Sequence, residues 1–177
     1  MKKIKYWITS DTHFNHYACV DGWGNRGEGF EEKILDSIRR NVKKGDVIIH
    51  LGDFAWYKHK MWCTKFREAC GEAKTWLIKG NHDRNSNAFF LDGGFDFVAE
   101  SFMMERHNKR ILFTHKPQPI GDYDINIHGH LHTTGHRDGE YQAIKHDGQL
   151  LIEIETSFEI KNLDKLLQKK IQQLGKK

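Results

Sequence analysis

The first half of the chain contains short apolar runs separated by longer amphipathic segments. The apolar runs, at residues 4–9, 47–51 and 75–79, have the length and the β-branched and aromatic side chains that are typical of buried strands. Between them, apolar residues recur at helical spacing over residues 30–41 and about 58–70, and a glycine follows each segment within a few positions. This β-α-β-α-β order predicts an α/β layer built on a largely parallel sheet.

The second half has shorter apolar runs and ends in an amphipathic segment. Strands are predicted at residues 95–98, 102–105, 110–114 and 124–127. The turn at residues 106–109 predicts a hairpin between the second and the third of these strands. Residues 141–144 and 150–154 are predicted to form a final hairpin around an Asp-Gly pair. Leucines and isoleucines at helical spacing from Leu163 onward predict a C-terminal helix.

Length and composition restrict the class of protein. A chain of 177 residues is long enough to bury a core without cross-links, and we expect one domain over residues 1–177. Its three cysteines have no paired spacing, which favours a reducing compartment over a disulfide framework. The first residues enter a strand without the apolar run of a signal peptide, and no apolar segment approaches the roughly 20 residues that span a bilayer. We therefore expect a cytoplasmic protein without a membrane partner, and the oligomeric state stays open.

Net charge gives a weak indication of function, and histidine content gives a stronger one. The formal net charge is +4, and six lysines with a single acid lie from Lys161 onward. A solvated helix face explains these lysines more simply than contact with nucleic acid does. The chain also has 12 histidines, and imidazole is the commonest metal ligand and proton carrier near neutral pH. This content raises metal chemistry as a hypothesis.

Polar side chains that can bind metals or transfer protons stand where the strands are predicted to end. They are Asp11, His13, Asp53, Asn81, His82, Asp83, His115, His130 and His132. Ligands collect beyond the carboxyl ends of strands in α/β sheets, so we expect these segments to converge. One intervening residue places Asp11 with His13, and His130 with His132, on the same side of an extended segment. Imidazole, carboxylate and amide oxygen ligands suit divalent transition-metal ions.

The order of these motifs resembles that of the calcineurin-like metallophosphoesterase superfamily. Ser10-Asp11-Thr12-His13-Phe14 together with Gly80-Asn81-His82-Asp83 is most similar to its small bacterial and phage single-domain members. The resemblance extends from Ile4 to His132 and implies an α/β fold, a four-layer αββα sandwich of two mixed β-sheets flanked by helices. It also implies a dinuclear metal centre between the sheets. Mn²⁺ is the expected activator in vitro, and Fe, Zn, Ni or Co are alternatives.

The resemblance also implies a role for each motif residue. One metal would be held by Asp11, His13, Asp53 and His132, and the other by Asp53, Asn81, His115 and His130. Asp53 would bridge the two ions. His82 would act as the general acid that protonates the leaving oxygen, and the neighbouring carboxylate of Asp83 would orient it and favour its charged form.

The polar and aromatic residues of the glycine-rich loop at residues 14–30 could line a substrate pocket, and a mobile surface loop is an equal alternative. Its candidate substrate-binding residues are Asn15, His16 and Arg26, and Asn15 stands where the small relatives commonly have glycine. His50 and His128 lie beside site residues in the sequence but alternate away from them. We therefore expect these two histidines in the core or behind the ligands.

The motifs predict a metal-dependent phosphoesterase that attacks a small phosphodiester or phosphomonoester with a metal-bridging hydroxide. A first alternative is a nuclease on DNA or RNA with the same centre. It is suggested by an interleaved set of aromatic and basic residues, Trp23, Arg26, Trp56, Lys58, Lys60 and Trp62. A second alternative is a non-catalytic metal-binding scaffold, which the presence of every implied ligand and of His82 disfavours.

Overall fold

The computed structural model describes residues 3–134, 137, 139–155 and 157–176. The first sheet in this part of the chain contains β1 (Tyr6–Thr9), β2 (Val47–His50), β3 (Lys74–Ile78), β4 (Phe97–Ala99) and β9 (Lys161–Asn162). Their spatial order is β4-β3-β2-β1-β9. Strands β1 to β4 are parallel and β9 is antiparallel to β1, so the sheet is mixed. The predicted, largely parallel β-α-β-α-β layer is confirmed.

The second sheet contains β5 (Ser101–Arg106), β6 (Lys109–Thr114), β7 (Ile125–His128) and β8 (Gln149–Leu151), in that order. β5 and β6 form the predicted hairpin, whereas β6, β7 and β8 are parallel to one another. The predicted final hairpin is wrong, because Gln142–Ile144 is a 3₁₀ turn and β8 pairs with the edge of β7. Apolar alternation specifies which face of a strand is buried but leaves its pairing partner undetermined.

The described helices are α1 (Ala18–Asp21), α2 (Phe30–Asn41), α3 (His59–Cys70), α4 (Asn87–Asp92) and α5 (Leu163–Leu174). Periodic apolar positions predict α2, α3 and α5, each of which has 12 residues. The pattern does not predict α1 and α4, which are too short for such a repeat. The hydroxyl of Ser86 accepts a hydrogen bond from the amide of Phe89 and caps α4. None of the helices in the described ranges is long and apolar enough to cross a membrane.

Two apolar cores pack against opposite faces of the first sheet. On one face, Ile48 of β2 belongs to a cluster with α2 and α3, which includes Phe66. On the opposite face, Ile49 belongs to a cluster with Phe113 of the second sheet and Leu167 of α5. Adjacent residues of β2 therefore serve different cores, which explains why Val47, Ile48 and Ile49 are all apolar. The structure confirms the predicted α/β class with two mixed sheets flanked by helices.

Candidate active site

The carboxyl ends of β1, β2 and β3 face the loops that follow β6 and β7, and the chemically active side chains lie in these loops. The structure brings together all seven side chains predicted as metal ligands, namely Asp11, His13, Asp53, Asn81, His115, His130 and His132. All of them except Asn81 are buried. Side chains that are scattered along the sequence thus form one cluster in space.

The first group in this cluster consists of Asp11, His13 and His132, whose ligand-type atoms lie within 4.8 Å of one another. The Oδ1 atom of Asp11 is 4.0 Å from Nε2 of His13 and 3.6 Å from Nε2 of His132. Two ligands that share one ion, each about 2.1 Å from it, have separations of this size. The geometry of the first group is therefore compatible with one bound ion.

The second group consists of Asp53, His115 and His130, and Asn81 adjoins it. The Nε2 atom of His115 lies 3.4 Å from Oδ2 of Asp53 and 3.1 Å from Nδ1 of His130. It also lies 3.2 Å from Oδ1 of Asn81. The same Oδ2 atom of Asp53 is 3.7 Å from Nε2 of His13 in the first group. This carboxylate oxygen therefore lies between the two groups.

The backbone of these loops is left-handed rather than extended. The φ angle is 52° at Asp11, 47° at His13, 51° at Asp53, 69° at His130 and 55° at His132. The expectation that Asp11 and His13 share an extended segment is wrong, and so is the same expectation for His130 and His132. The side chains converge through turns, held for Asp11 by a hydrogen bond from its amide to the carbonyl of Gly52. Such backbone strain costs on the order of 1 kcal/mol or more per residue and concentrates at functional sites.

Several buried polar atoms of the cluster have no hydrogen-bond partner among the described residues. They include Oδ1 of Asp11, Nε2 of His13 and Oδ2 of Asp53. The second oxygen of each carboxylate is satisfied, since Oδ2 of Asp11 accepts from the amide of His130 and Oδ1 of Asp53 accepts from the amide of His82, both at 2.9 Å. An unsatisfied buried polar group costs about 1–3 kcal/mol, and a charged one costs more. These unsatisfied atoms are anionic or imidazole ligands close to one another, and they fit divalent cations.

Opposite charges couple Asp53 to His115. Burial disfavours the charged form of both groups, but their mutual attraction across 3.4 Å and the attraction of neighbouring opposite charges dominate. They hold the pKa of Asp53 below its usual range and raise the pKa of His115 to about 9. Burial lowers the pKa of His13 and lowers the pKa of His130 to about 3. At neutral pH, the ring of His115 therefore carries a proton, whereas the rings of His13 and His130 are neutral.

We expect metal binding to displace the proton of His115. Imidazole ligates only when it is neutral, and the pKa of His115 is about 9. The apparent affinity for Mn²⁺ should therefore rise about tenfold per pH unit from pH 6 to pH 8, with about one proton released per chain at pH 7. Calorimetric titration in two buffers of different ionisation enthalpy measures this proton. His107→Ala, in the β5–β6 turn, is the control that keeps the dependence, and a pH-independent affinity would contradict the prediction.

A buried ion pair lies behind the first group. The carboxylate of Glu155 accepts a hydrogen bond from Nδ1 of His132 at 2.5 Å and another from the guanidinium of Arg26 at 2.8 Å. The guanidinium also donates to the backbone carbonyls of Asp11 and Thr12. The side chain of Arg26 has 0% exposure, so the prediction that it binds substrate is wrong. Its hydrogen bonds instead position the loop that follows β1.

Glu155 belongs to no motif, and an acidic side chain directly after the predicted strand at residues 150–154 is the available signal in the sequence. Burial opposes the ionisation of Glu155, but hydrogen bonds from His132 and Arg26 lower its pKa to about 2. A carboxylate that accepts from the far nitrogen of a ligating histidine fixes the tautomer and orientation of the ring. Glu155 therefore directs Nε2 of His132 toward Asp11.

Glu155→Gln is expected to weaken divalent-metal binding about 10- to 100-fold, because the carboxylate partner of the ligating ring is lost. Competition with a chromophoric chelator measures the affinity for Mn²⁺, and thermal unfolding checks the fold. Glu153→Gln, two residues earlier, is the matched control, and its carboxylate lies 3.9 Å from Nζ of Lys161. An unchanged affinity in Glu155→Gln would show that the ring of His132 is positioned by other contacts.

His82 lies at the rim of the cluster, and its side chain is 20% exposed. Its Nε2 atom is 3.7 Å from Oδ2 of Asp53. The prediction that Asp83 orients His82 is wrong, because the carboxylate of Asp83 accepts hydrogen bonds from the amides of Phe54 at 3.0 Å and Gly80 at 2.8 Å. Asp83 thus joins the loops that follow β2 and β3, and Asp53 is the carboxylate beside His82.

The protonation of these two side chains also differs from the expectation. Burial lowers the pKa of His82 and outweighs the attraction of Asp53, so the prediction of a favoured charged form is wrong. Burial, reinforced by the negative charge of Asp53, raises the pKa of Asp83 to about 7. A neutral imidazole at the rim acts as an acid only after it takes up a proton, which the charge of a bound phosphate favours.

An aromatic wall borders the cluster. The ring of His16 stacks on Trp56 at 4.1 Å, Trp56 lies 4.5 Å from the ring of His82, and Trp23 lies 4.6 Å from His132. Of the loop residues predicted to bind substrate, His16 therefore lies at the site, and Asn15 precedes it with a φ of 63°. Trp62, which was considered for a nucleic-acid groove, is buried in the core instead.

His50 and His128 lie behind the site, as predicted. His50 is within hydrogen-bond distance of the hydroxyl of Thr12 at 2.9 Å and accepts from the amide of Gly52 at 3.1 Å. Burial lowers the pKa of His50 to about 3 and that of His128 to about 4, so both rings are neutral. The neutral ring of His50 therefore tethers the loop after β1 to the loop after β2.

Comparison with known proteins agrees with this arrangement. The sequence model of the calcineurin-like phosphoesterase superfamily domain matches residues 4–153. An uncharacterized protein of Methanocaldococcus jannaschii is 29% identical over 155 residues, which cover 81% of this chain and 77% of that protein. The crystal structure of a protein of unknown function from Aquifex aeolicus has a TM-score of 0.74 at 24% identity, covering 94% of this chain and 99% of that one. Nuclease MPE of Pseudomonas putida has a TM-score of 0.50 at 24% identity, over 72% of this chain and 60% of the nuclease. At these identities, both structures show likeness of fold alone.

Proposed function

Because this chain belongs to the calcineurin-like phosphoesterase superfamily, we propose that it is a metal-dependent hydrolase of small phosphodiesters or phosphomonoesters. The observation that carries the proposal is the convergence of buried ligand atoms without hydrogen-bond partners, Oδ1 of Asp11, Nε2 of His13 and Oδ2 of Asp53. Evolved cores avoid such atoms unless a ligand satisfies them. The backbone strain at the same residues supports a functional origin of this arrangement.

The residues at the site fit two divalent ions. Asp11, His13, Asp53 and His132 would hold one ion, and Asp53, Asn81, His115 and His130 would hold the other. The ligand set of imidazole, carboxylate and amide oxygen is compatible with Mn²⁺, Fe, Zn, Ni or Co. When bound, such a pair of ions supplies an acidified water as nucleophile and neutralises negative charge on the phosphate.

The remaining steps fall to side chains of the chain itself. His82 is the general acid that we propose for the leaving oxygen, since it is partly exposed at the rim and 3.7 Å from Asp53. Its backbone amide donates to Asp53, and its ring lies against Trp56, so both its main chain and its side chain are restrained. Glu155 and Arg26 hold the first ligand group from behind, and Asp83 holds the loop that carries Asn81 and His82.

Removal and return of metal tests the proposal. The chain is stripped with a chelator and titrated with Mn²⁺, while bound metal and the hydrolysis of bis-p-nitrophenyl phosphate and p-nitrophenyl phosphate are measured. We expect no turnover in the stripped chain, and recovery as two ions bind per chain. Undiminished hydrolysis after removal of metal would contradict the proposal, and so would binding of two ions without hydrolysis of any ester, the outcome expected for a scaffold.

A further inference from the structure

Residues of the loop at 80–83 border two different clefts, and each cleft is lined by at least one residue of the candidate active site. One cleft, of about 380 Å³, is lined by Asn81 and the nearby His115. The other, of about 480 Å³, is lined by His82. Asn81 borders one cleft and the adjacent His82 borders the other. A phosphate held at the proposed metal ligands would therefore have space for one ester group in each cleft. This arrangement suits a phosphodiester, and the group on the His82 side is the one that receives the proton.

The cleft beside His82 has an aromatic wall. It is lined by Trp56, Tyr57, His59, His82, Arg84 and Asn85. The ring of Trp56 is fixed, because His16 stacks on it at 4.1 Å and the ring of His82 lies 4.5 Å away. The ring of Tyr57 meets Trp56 edge-on, and Tyr57 is 61% exposed. An exposed aromatic ring that lines the same cleft as the proposed general acid is a stacking surface for a planar group.

The polar groups of the same cleft select a charged and hydrogen-bonding ligand. Among the described residues that line it, none carries a carboxylate. Arg84 is exposed and has no carboxylate within 4.0 Å in the described part of the chain. The Nε2 atom of His59 is buried and lacks a hydrogen-bond partner among the described residues. A ligand with a polar ring and an anionic group would complement this cleft, because the ring could hydrogen-bond to Nε2 of His59 and the anion could pair with Arg84.

We propose that this cleft binds the leaving group of the substrate, and that the leaving group is a nucleotide whose base stacks on Tyr57 and whose further phosphate pairs with Arg84. The inference rests on the proposed phosphoesterase function and narrows its substrate to phosphodiesters of nucleotides. In the reaction, the oxygen of water bonds to phosphorus and the bond from phosphorus to the nucleotide oxygen breaks. His82 gives its proton to that oxygen, and the proton of the attacking water goes to solvent.

An asymmetric diester tests which alcohol enters the cleft. Methyl thymidine 5′-phosphate is hydrolysed either to thymidine and methyl phosphate or to thymidylate and methanol, and chromatography measures the ratio of the two products. This ratio is independent of how much protein is active or loaded with Mn²⁺. We expect thymidine release to exceed methanol release about tenfold in the unaltered chain, because base stacking on an aromatic residue favours the nucleoside in the cleft.

Substitutions inside and outside the cleft show which residues cause the preference for thymidine release. Tyr57→Ala should lower the ratio about tenfold, and Tyr57→Phe should keep it, because the ring is retained. Tyr17→Ala removes another exposed tyrosine, one that does not line the cleft, and should leave the ratio unchanged. A 3′-phosphate on the thymidine should raise the ratio about fivefold, and Arg84→Gln but not Arg39→Gln should remove that gain.

The outcomes separate the two proposals. Hydrolysis with equal ratios in the unaltered chain and in Tyr57→Ala would overturn the assignment of the cleft and leave the phosphoesterase function standing. Preferred release of methanol would place the nucleoside on the Asn81 side and also overturn the assignment. Failure to hydrolyse this diester, bis-p-nitrophenyl phosphate and p-nitrophenyl phosphate, with two Mn²⁺ ions bound, would overturn the proposed function itself. Hydrolysis of the monoester alone would overturn the assignment of the cleft and leave that function standing.

Discussion

Asp53→Ala is expected to lower metal-dependent hydrolysis of phosphate esters by at least about a thousandfold. The Oδ2 atom of Asp53 lies 3.4 Å from Nε2 of His115 and 3.7 Å from Nε2 of His13. The substitution therefore takes a ligand from both proposed ions and leaves the protonated ring of His115 buried without its counterion. Turnover of bis-p-nitrophenyl phosphate with Mn²⁺ and the metal content per chain measure the effect.

The controls for Asp53→Ala separate loss of chemistry from loss of fold. Asp92→Ala removes an exposed carboxylate at the end of α4 and should leave turnover and metal content unchanged. Asn81→Ala removes a ligand of the second group only, so its metal content should fall toward one ion per chain. Circular dichroism and thermal unfolding report whether each variant is folded. Two bound ions and full activity in folded Asp53→Ala would rule out its position between the metals.

His82→Ala is expected to slow hydrolysis of esters with alkyl alcohol leaving groups about 10²- to 10⁴-fold, because the leaving oxygen then lacks its proton donor. Esters of p-nitrophenol should lose far less, since nitrophenolate leaves without protonation. The side chain is 20% exposed and lies near Asp53 and Trp56, so it reaches the site without being buried in it. Steady-state kinetics with methyl and p-nitrophenyl diesters measure the difference.

The leaving-group comparison distinguishes an acid from a structural residue. A purely structural role for His82 would lower turnover of both esters by the same factor, and this outcome would exclude proton donation. Metal content should remain at two ions per chain, because His82 is not among the proposed ligands. His107→Ala, at the exposed β5–β6 turn, controls for removal of an imidazole from the chain.

The loop that carries His82 shows which features of the site are visible in the sequence and which are visible only in the structure. Its glycine and its polar residues identify a strand-ending turn in the sequence, and the structure places that turn after β3, with Asn81 and His82 at the site. Adjacency in the sequence also suggests that Asp83 orients His82. The structure shows that both oxygens of Asp83 accept hydrogen bonds from backbone amides instead. A short-range sequence pattern indicates which residues belong to a candidate site. Their hydrogen-bond and ion-pair partners lie in other loops, which the pattern does not reveal.

Local sequence patterns do not identify the residues that lie behind the site. A cation in a glycine-rich loop is a suitable ligand for a phosphate, so the sequence predicts that Arg26 contacts substrate. In the structure, its guanidinium is buried against Glu155 and two backbone carbonyls. Glu155 is far from His132 in the sequence and still accepts its Nδ1–H at 2.5 Å. Such contacts form where segments that are far apart in the sequence pack together, so local periodicity does not predict them.

By itself, the sequence determined the periodic elements and named the candidate ligand residues that the structure brings together. Local apolar spacing specifies α2 and the buried strands β1 to β3, because helices and strands bury residues at fixed intervals. The tertiary structure alone decided the parallel pairing of β8 with β7, the left-handed turns at Asp11 and His13, and the two clefts beside the loop of His82. These features depend on contacts between segments far apart in the chain. The energy that holds a strained turn comes from packing and hydrogen bonds outside that turn.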